Sequence, residues 1–526
     1  MPPGEIITPE LARYMTGISR AVLRQVGVIL DRQGIIHFVI VGDAHGLTIP
    51  DLSDYGLGHR RLRGLRLVHT HLYDEPLTTD DMTDLALLRL DLIAAVGVLQ
   101  DGLPGRMYIA HLLPPNQRGA AWADIPPMPF HQLNIDFEAF IDALEDEMLR
   151  VQGQSFDVGD KREKAILISV AQKRTPRSAQ QEAMDELAEL AKSADVLVLE
   201  TVLQRPDKLN PKYLMGEGRL REVIIQALQK GATLLIFDQE LTPSQLRSIA
   251  ELAEVKVIDR SQLILDIFAS RAHSRDGKVQ VELAQLKYRL PMLMGKGTAL
   301  SRLMGGIGGR GPGETKLETD RRRVRDRISH LEHTLKELSR ARKQRKSKRA
   351  GEGLPIISIV GYTNAGKSTL LNSLTKSDTF VENKLFATLD TASRRLRFPR
   401  ERDVIITDTV GFIRDLPKPL FAAFRATLEE LEDADLLMHV VDVSSPRYEE
   451  QMESVEKILK ELELDGKDRV TVFNKADAID PAMAPVIARA HGGVEISALD
   501  RRTFPPLLTE LERRLWPEDT PSPADF

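Results

Sequence analysis

At 526 residues the chain has room for about three to four domains of roughly 150 residues each, and its apolar fraction of 42% suits folded cores. With 72 Lys and Arg against 77 Asp and Glu, the net charge of -5 gives no global attraction to nucleic acid, so any such contact must be local. The absence of cysteine excludes disulfides and thiolate metal sites. No run reaches the ~18 apolar residues of a membrane helix, and Met1-Pro2-Pro3-Gly4-Glu5 lacks the order of a signal peptide. The expectation is a cytoplasmic protein with no membrane insertion.

In chain order, Gly34 to Val41 and Leu65 to Val68 read as strands, Asp80 to Val96 as a helix, and the proline-rich stretch 114–129 as a linker. From Ala165 the pattern changes. Strands are expected at Ala165–Val170, Val196–Leu199, Leu234–Phe237 and Val255–Ile258, alternating with helices at 178–192, 217–229 and 243–253. That alternation predicts a parallel α/β unit. Over about 261–350, Leu283, Leu286, Leu290 and Leu293, then Val324, Ile328, Leu331, Leu335 and Leu338, recur at three- and four-residue spacing. This is the seam of a two-helix hairpin. Its tip, Gly305 to Gly313, is too glycine-rich for regular structure, and its second helix ends in a basic run from Arg340 to Arg349.

From Leu354 a further α/β pattern carries the chemistry. Strand Ile356–Val360 feeds Gly361-Tyr362-Thr363-Asn364-Ala365-Gly366-Lys367-Ser368, followed by Thr369, in the strand–loop–helix context of a phosphate-binding loop. There the glycines let backbone N–H groups wrap phosphates, Lys367 meets the outer phosphates and the Ser368 hydroxyl binds Mg²⁺. Strand Val404–Thr407 delivers Asp408-Thr409-Val410-Gly411, with Asp408 for the magnesium shell and the Gly411 N–H for the γ-phosphate. Strand Val470–Phe473 ends in Asn474-Lys475-Ala476-Asp477, whose last carboxylate can accept from guanine N1–H and its exocyclic amine, which favours GTP over ATP. Ser497-Ala498-Leu499 is similar to a weaker guanine-loop element. Phe386-Ala387-Thr388-Leu389-Asp390-Thr391 holds two candidate switch threonines, of which Thr388 is taken as the second Mg²⁺ hydroxyl. The reaction groups are therefore Lys367, Thr388, Asp408 and Gly411, and the metal ligands Ser368, Thr388 and Asp408. Phe412 follows where related enzymes carry a water-positioning glutamine. Slow hydrolysis of GTP to GDP is expected until a partner supplies the missing group.

With these motifs, Leu385–Asp390, Gly313-Glu314-Thr315-Lys316-Leu317-Glu318 after the glycine tip, Leu263–Phe268, Val281–Leu286 and Phe237–Leu241, the chain resembles the HflX GTPase family over roughly residues 160–515. The resemblance implies a GTPase that binds the large ribosomal subunit and its rRNA, projects the hairpin toward the peptidyl-transferase region, and splits or rescues ribosomes or serves their biogenesis. Arg302, Arg310, Lys316 and the basic run are cations suited to RNA phosphates. The alternative is a nucleotide-regulated RNA- or protein-binding switch that does not act on ribosomes. A second, ATP-linked activity credited to some relatives finds no phosphate loop in 160–260, where Gly216-Glu217-Gly218 reads as a tight turn.

Residues 1–150 lie outside that resemblance. Val68-His69-Thr70-His71, with Thr78 and Asp81 after it, resembles the JAB/JAMM metalloprotease-like fold, which implies a zinc site. Arg24-Gln25 stands where that family has its glutamate, so the base a zinc hydrolase needs is missing, and peptidase activity is not expected. The full expectation is an α/β multidomain chain: an N-terminal extension (1–150) with an unidentified partner, a central α/β domain (160–262), a helical hairpin (263–350) and a P-loop GTPase domain (354–526).

Overall fold

The computed structural model describes the chain apart from residues 53, 56–61, 115, 117–119, 156–161, 254, 273, 294–311, 350–353, 376–391, 399–401, 410, 415–419, 422–428 and 518–526. It divides into two compact units: 1–181 with 197–237 and 245–258, and 182–196 with 238–244 and 259–526.

The first unit opens with α1 (Pro9–Val22), whose Thr8 side chain caps the N-terminus with proline following, and which stops at Leu23 in the left-handed region. A six-stranded sheet follows in the order β2-β1-β3-β4-β5-β6, from β1 (Val26–Asp31), β2 (Ile36–Val41), β3 (Leu65–His71), β4 (Leu92–Val98), β5 (Pro104–Leu112) and β6 (Trp122–Pro129). Two expectations fail here. The helix foreseen over Asp80–Val96 is α2 (Thr79–Leu87) followed by β4, with Arg89 at φ 49° making the break. Leu92 to Val98 is apolar throughout and every residue is buried, between parallel β3 and antiparallel β5. A fully buried strand has no alternation to betray it. The proline-rich linker contains β6, an edge strand, where missing N–H groups are tolerated. Helix α3 (Phe137–Ser155) packs Phe137, Ile141, Leu144 and Met148 into the same core.

The same unit holds a four-stranded sheet ordered β10-β9-β7-β8, from β7 (Lys164–Val170), β8 (Leu197–Gln204), β9 (Leu234–Phe237) and β10 (Lys256–Asp259), with β7 parallel to both β8 and β9. Helices α4 (Arg177–Ser193), α5 (Glu217–Gln229) and α6 (Pro243–Leu252) alternate with its strands, close to the sequence-based boundaries.

In the second unit α7 (Arg260–Arg271), capped by Asp259, precedes α8 (Arg275–Leu293) and the 38-residue α9 (Pro312–Arg349). Helices α8 and α9 are joined by Arg327–Glu282 at 2.8 Å and Lys287–Glu332 at 2.7 Å, and Leu283 and Leu331 are buried. Helix α9 opens at Pro312-Gly313, inside the stretch expected to be irregular. The rest of that tip, with Arg302 and Arg310, lies outside the described residues, as do the side chains of Lys316 and of 341–349.

The remaining elements form a six-stranded sheet ordered β12-β13-β11-β14-β15-β16. Its strands are β11 (Ile356–Val360), β12 (Ala392–Arg397), β13 (Asp403–Asp408), β14 (Leu436–Asp442), β15 (Arg469–Asn474) and β16 (Val494–Glu495), parallel except for β12. Helices α10 (Lys367–Thr375), α11 (Tyr448–Glu461), α12 (Met483–Ala490) and α13 (Pro505–Leu515) complete it.

Candidate functional site

Parallel register brings the C-terminal ends of β11, β13 and β15 to one edge, where an open α/β sheet binds ligands. Ile359 pairs with Asp408 and Asp442 with Asn474, so each motif begins where its strand ends. The loop from Gly361 to Gly366 then turns into α10 at Lys367. Three residues of this turn have positive φ: Gly361 (152°), Asn364 (63°) and Gly366 (89°). A Cβ on Gly361 would meet the Val440 carbonyl at 2.2 Å, and one on Gly366 would meet Asn474 Nδ2 at 2.2 Å. Only glycine can hold either position.

Lys367 is buried and donates to the carbonyls of Gly361 (3.1 Å) and Tyr362 (2.7 Å), spanning the mouth of the loop. Burial pushes its pKa down to about 8, against the opposing pull of Asp408. The Ser368 hydroxyl donates to Asp408 Oδ2 at 2.7 Å, so the hydroxyl and carboxylate expected to hold Mg²⁺ already face each other. Thr409 donates to the Ile359 carbonyl at 2.6 Å and closes the end of β13 onto β11. A Cβ on Gly411 would lie 2.9 Å from Lys367 Nζ and 2.9 Å from Thr363 Cγ2, so that backbone approaches the loop as closely as it can.

Asn474 joins two of the segments. Its Nδ2 donates to the Ala365 carbonyl and its Oδ1 accepts from Ala498 N–H, both at 2.8 Å. Lys475 takes φ 65° and reaches Asp442 at 2.6 Å, and the Asp477 side chain is exposed and open to a base. Ser373 holds the Ala498 carbonyl at 2.7 Å, Ser497 Oγ accepts from Leu499 N–H at 3.3 Å, and the Leu499 side chain is 81% exposed. Thr369 and Ala476 are half-buried beside these contacts. Phe386, Ala387, Thr388, Leu389, Asp390 and Val410 lie outside the described residues.

Phe412 is 2% exposed and packs with Val360, Leu431 and Leu437. Its backbone pairs with the loop, Thr363 N–H donating to its carbonyl at 2.7 Å and its N–H to the Gly361 carbonyl at 3.1 Å. The ring is therefore a packing element as well as a missing glutamine. Sequence reasoning placed Tyr362 in the phosphate loop but gave its side chain no role; its hydroxyl donates to Glu186 Oε1 at 2.5 Å and accepts from Arg414 N–H at 2.8 Å. Glu186 and Arg260 carry no local motif that would have flagged them.

A second cluster lies in the N-terminal sheet. His69 Nε2 and His71 Nε2 are 2.9 Å apart, Asp81 Oδ1 stands 3.3 Å from the first and its Oδ2 3.5 Å from the second, and one ligand atom from each residue lies within 4.8 Å of the others. His71 Nδ1 is 2.9 Å from the Glu75 carbonyl, which fixes that nitrogen as the donor and leaves Nε2 a lone pair. Thr78 is the cap of α2, sharing a capping box with Asp81, and it orients that carboxylate. Continuing the register in which Gly27 faces His69 puts Gln25 opposite His71. Gln25 is buried, and an amide cannot take a proton.

A glycine-bounded loop opening a helix, a hydroxyl–carboxylate pair beside it and an exposed aspartate, all on one sheet edge, are the arrangement of a P-loop GTPase. Residues 181–269 match the family described as GTP-binding GTPase N-terminal, 271–349 the GTP-binding GTPase middle region, and 356–475 the 50S ribosome-binding GTPase. The chain belongs to the HflX GTPase family: GTPase HflX of Caldanaerobacter subterraneus subsp. tengcongensis is 46% identical over 357 residues, 68% of this chain and 82% of that protein. The Escherichia coli K12 GTPase HflX is 40% identical over 364 residues, 68% of this chain and 84% of its own length. Among solved structures, a complex of SsGBP with GDP aligns with a TM-score of 0.40 and 25% identity, over 67% of this chain and 98% of that one. The chain is a GTP-binding, GTP-hydrolysing protein whose GTPase domain is of the ribosome-binding type.

Proposed function

We propose that this protein is a Mg²⁺-dependent GTPase switch that acts in the cytoplasm on the large ribosomal subunit, contacting its rRNA, in ribosome splitting, rescue or biogenesis. Its four segments divide the work: 354–526 reads the nucleotide, 263–350 reaches the partner, 160–262 links them, and 1–150 engages a further partner. The observation that carries the reading is Lys367 lying across the Gly361 and Tyr362 carbonyls beside the Ser368–Asp408 pair. The Lys367 ammonium, with three N–H donors, would add a phosphate oxygen to those carbonyls, and Ser368 and Asp408 stand together where Mg²⁺ would be held. Ser368, Thr388 and Asp408 would hold Mg²⁺, which would supply charge neutralisation on the transferred phosphoryl group. The Lys367 ammonium and the Gly411 N–H donate to the γ-phosphate. Asp477 accepts from guanine, and Asn474 holds its loop against the phosphate loop. Phe412 has no group to orient water, so turnover is slow until the ribosome supplies or orders one.

The test is GTP hydrolysis by the full chain at fixed magnesium, with and without large ribosomal subunits, using Lys367→Ala as the blank. Stimulation by the subunit is expected. Tight GTP binding with no stimulation would move the function to a switch for another RNA or protein.

A second reading rests on His69, His71 and Asp81. Tetrahedral zinc with ligands at ~2.0–2.1 Å has ligand-to-ligand edges of about 3.3 Å; the His69–His71 and His69–Asp81 Oδ1 spacings of 2.9 and 3.3 Å come near that figure, and a small turn of the carboxylate would bring one oxygen to both rings, the three ligand atoms already lying within 4.8 Å of one another. The three side chains would hold a divalent transition metal, and with Gln25 in place of a base the site would be structural or ligand-binding, without peptidase activity. Metal analysis of the full chain should find close to one zinc per chain, lost in His69→Ala and retained in Lys367→Ala; less than about a tenth of an equivalent after metal-replete purification would rule it out.

A further inference from the structure

The phosphate loop is held by a group that its own motif does not contain. Tyr362 is fixed in three ways: its carbonyl accepts from Lys367, its backbone pairs with Phe412, and its hydroxyl is shared between Glu186 and the Arg414 N–H. Behind Glu186 stands Arg260, 3.2 Å from its second carboxylate oxygen and 3.6 Å from Asp238, and donating to the Arg414 carbonyl at 3.0 Å. The Arg414 guanidinium approaches Glu186 at 3.7 Å. Glu186, Asp238 and Arg260 are all nine-tenths or more buried, and with Arg414 they make two negative and two positive charges. All of them belong to the second compact unit, to which residues 182–196 and 238–244 contribute.

The arrangement matters when nucleotide arrives. Lys367 has three N–H donors, two of them directed at the Gly361 and Tyr362 carbonyls, and the third can meet a phosphate. The tyrosine hydroxyl takes no part in that contact; its partners are Glu186 and the Arg414 N–H. Because Arg414 follows the Asp408–Gly411 segment, the same hydroxyl holds the loop and the segment that senses the γ-phosphate at a fixed spacing. A buried carboxylate could serve there only if its charge is matched, and Arg260 matches it.

We infer that Glu186, charge-matched by Arg260, is a positioning residue for the phosphate loop: through Tyr362 it sets how long nucleotide stays bound. The inference rests on the nucleotide-site reading above. It is tested on the full-length chain by the release rate of a fluorescent GDP analogue from the parent, Tyr362→Phe, Glu186→Ala and the double variant. Each single change should speed release roughly five- to tenfold, and the double should be within about twofold of the faster single, since both remove one interaction. Release within twofold of the parent in both singles, or effects that multiply in the double, would overturn it. Thermal melting of each variant, matched to the parent, shows that release is read from folded protein. Should Glu186→Ala leave Arg260 with Asp238 alone and prevent folding, Glu186→Ala with Arg260→Met removes one charge of each sign, leaving Asp238 and Arg414, and goes through the same cycle with the same two outcomes. If the parent itself does not retain GDP, the nucleotide-site reading falls; if the parent retains it and the variants release at the parent rate, only the role of Glu186 falls.

Discussion

Asn474→Ala isolates the join between the phosphate loop and the guanine side of the site. The wild-type amide is 1% exposed and makes two bonds of 2.8 Å, to the Ala365 carbonyl and from the Ala498 N–H, and both of those residues are buried. Truncation strands a buried acceptor and a buried donor, each costing about 1–3 kcal/mol. Because water entering the gap recovers part of this, a total of about 2–4 kcal/mol is expected. If that cost falls mainly on the ordered, nucleotide-ready loop, GDP affinity drops roughly 30- to 1000-fold, at 1.4 kcal/mol per tenfold. Titration of a fluorescent GDP analogue gives the affinity, and thermal unfolding without nucleotide gives the share borne by the free protein. Asn474→Asp should be as damaging, since it keeps an acceptor for Ala498 but turns a carboxylate on the Ala365 carbonyl. A GDP affinity within threefold of the parent in both variants, with unchanged melting, would refute the reasoning.

Gly366→Ala should abolish nucleotide binding, because φ is 89° and the new methyl would sit 2.2 Å from Asn474 Nδ2; equilibrium dialysis with GDP checks it. Asp477→Asn should shift preference from guanine toward xanthine nucleotides by exchanging an acceptor for a donor, and competition between GTP and XTP reads the change. His439, buried in β14, has its pKa lowered to about 4, first by burial and then by Arg469 and Lys367. The unfolded chain binds the extra proton between the ordinary value of about 6.5 and 4, so stability present above pH 6.5 is lost as pH falls through that window, by up to about 3 kcal/mol. Denaturant unfolding of the parent and His439→Gln across pH 4–7 should give the variant the flatter profile.

What the sequence made legible was chemistry fixed by the backbone. Gly361, Gly366 and Lys367 announce a loop because no other residues fit those dihedrals and that reach, and the strands on either side were short apolar runs bounded by the motifs themselves. Periodicity failed where burial is complete: Leu92 to Val98 has no polar face, and it was read together with the capped helix before it. Proline misled in β6, since an edge strand does not need every N–H. Glu186 and Arg260 were invisible for another reason. Each lies on a helix that would form without it, far in sequence from Tyr362, and their meaning exists only once three distant segments are brought together. Phe412 was legible as an absence, the lack of a water-orienting amide, while its packing against Leu431 and Leu437 could be seen only in three dimensions.

Strand β11 has parallel hydrogen-bonded neighbours on both sides, β13 and β14. Helix α9 comes shortly before it in the chain and the phosphate loop directly after it, so it looks like a drawbar along which a pull on the long helix could reach the nucleotide. It cannot work as one. A slip of one residue would break two ladders and turn Ile357 and Ile359, both fully buried, toward the opposite face. Mechanical traffic between α9 and the phosphate loop must therefore travel sideways, through side chains that can rearrange without the strand moving.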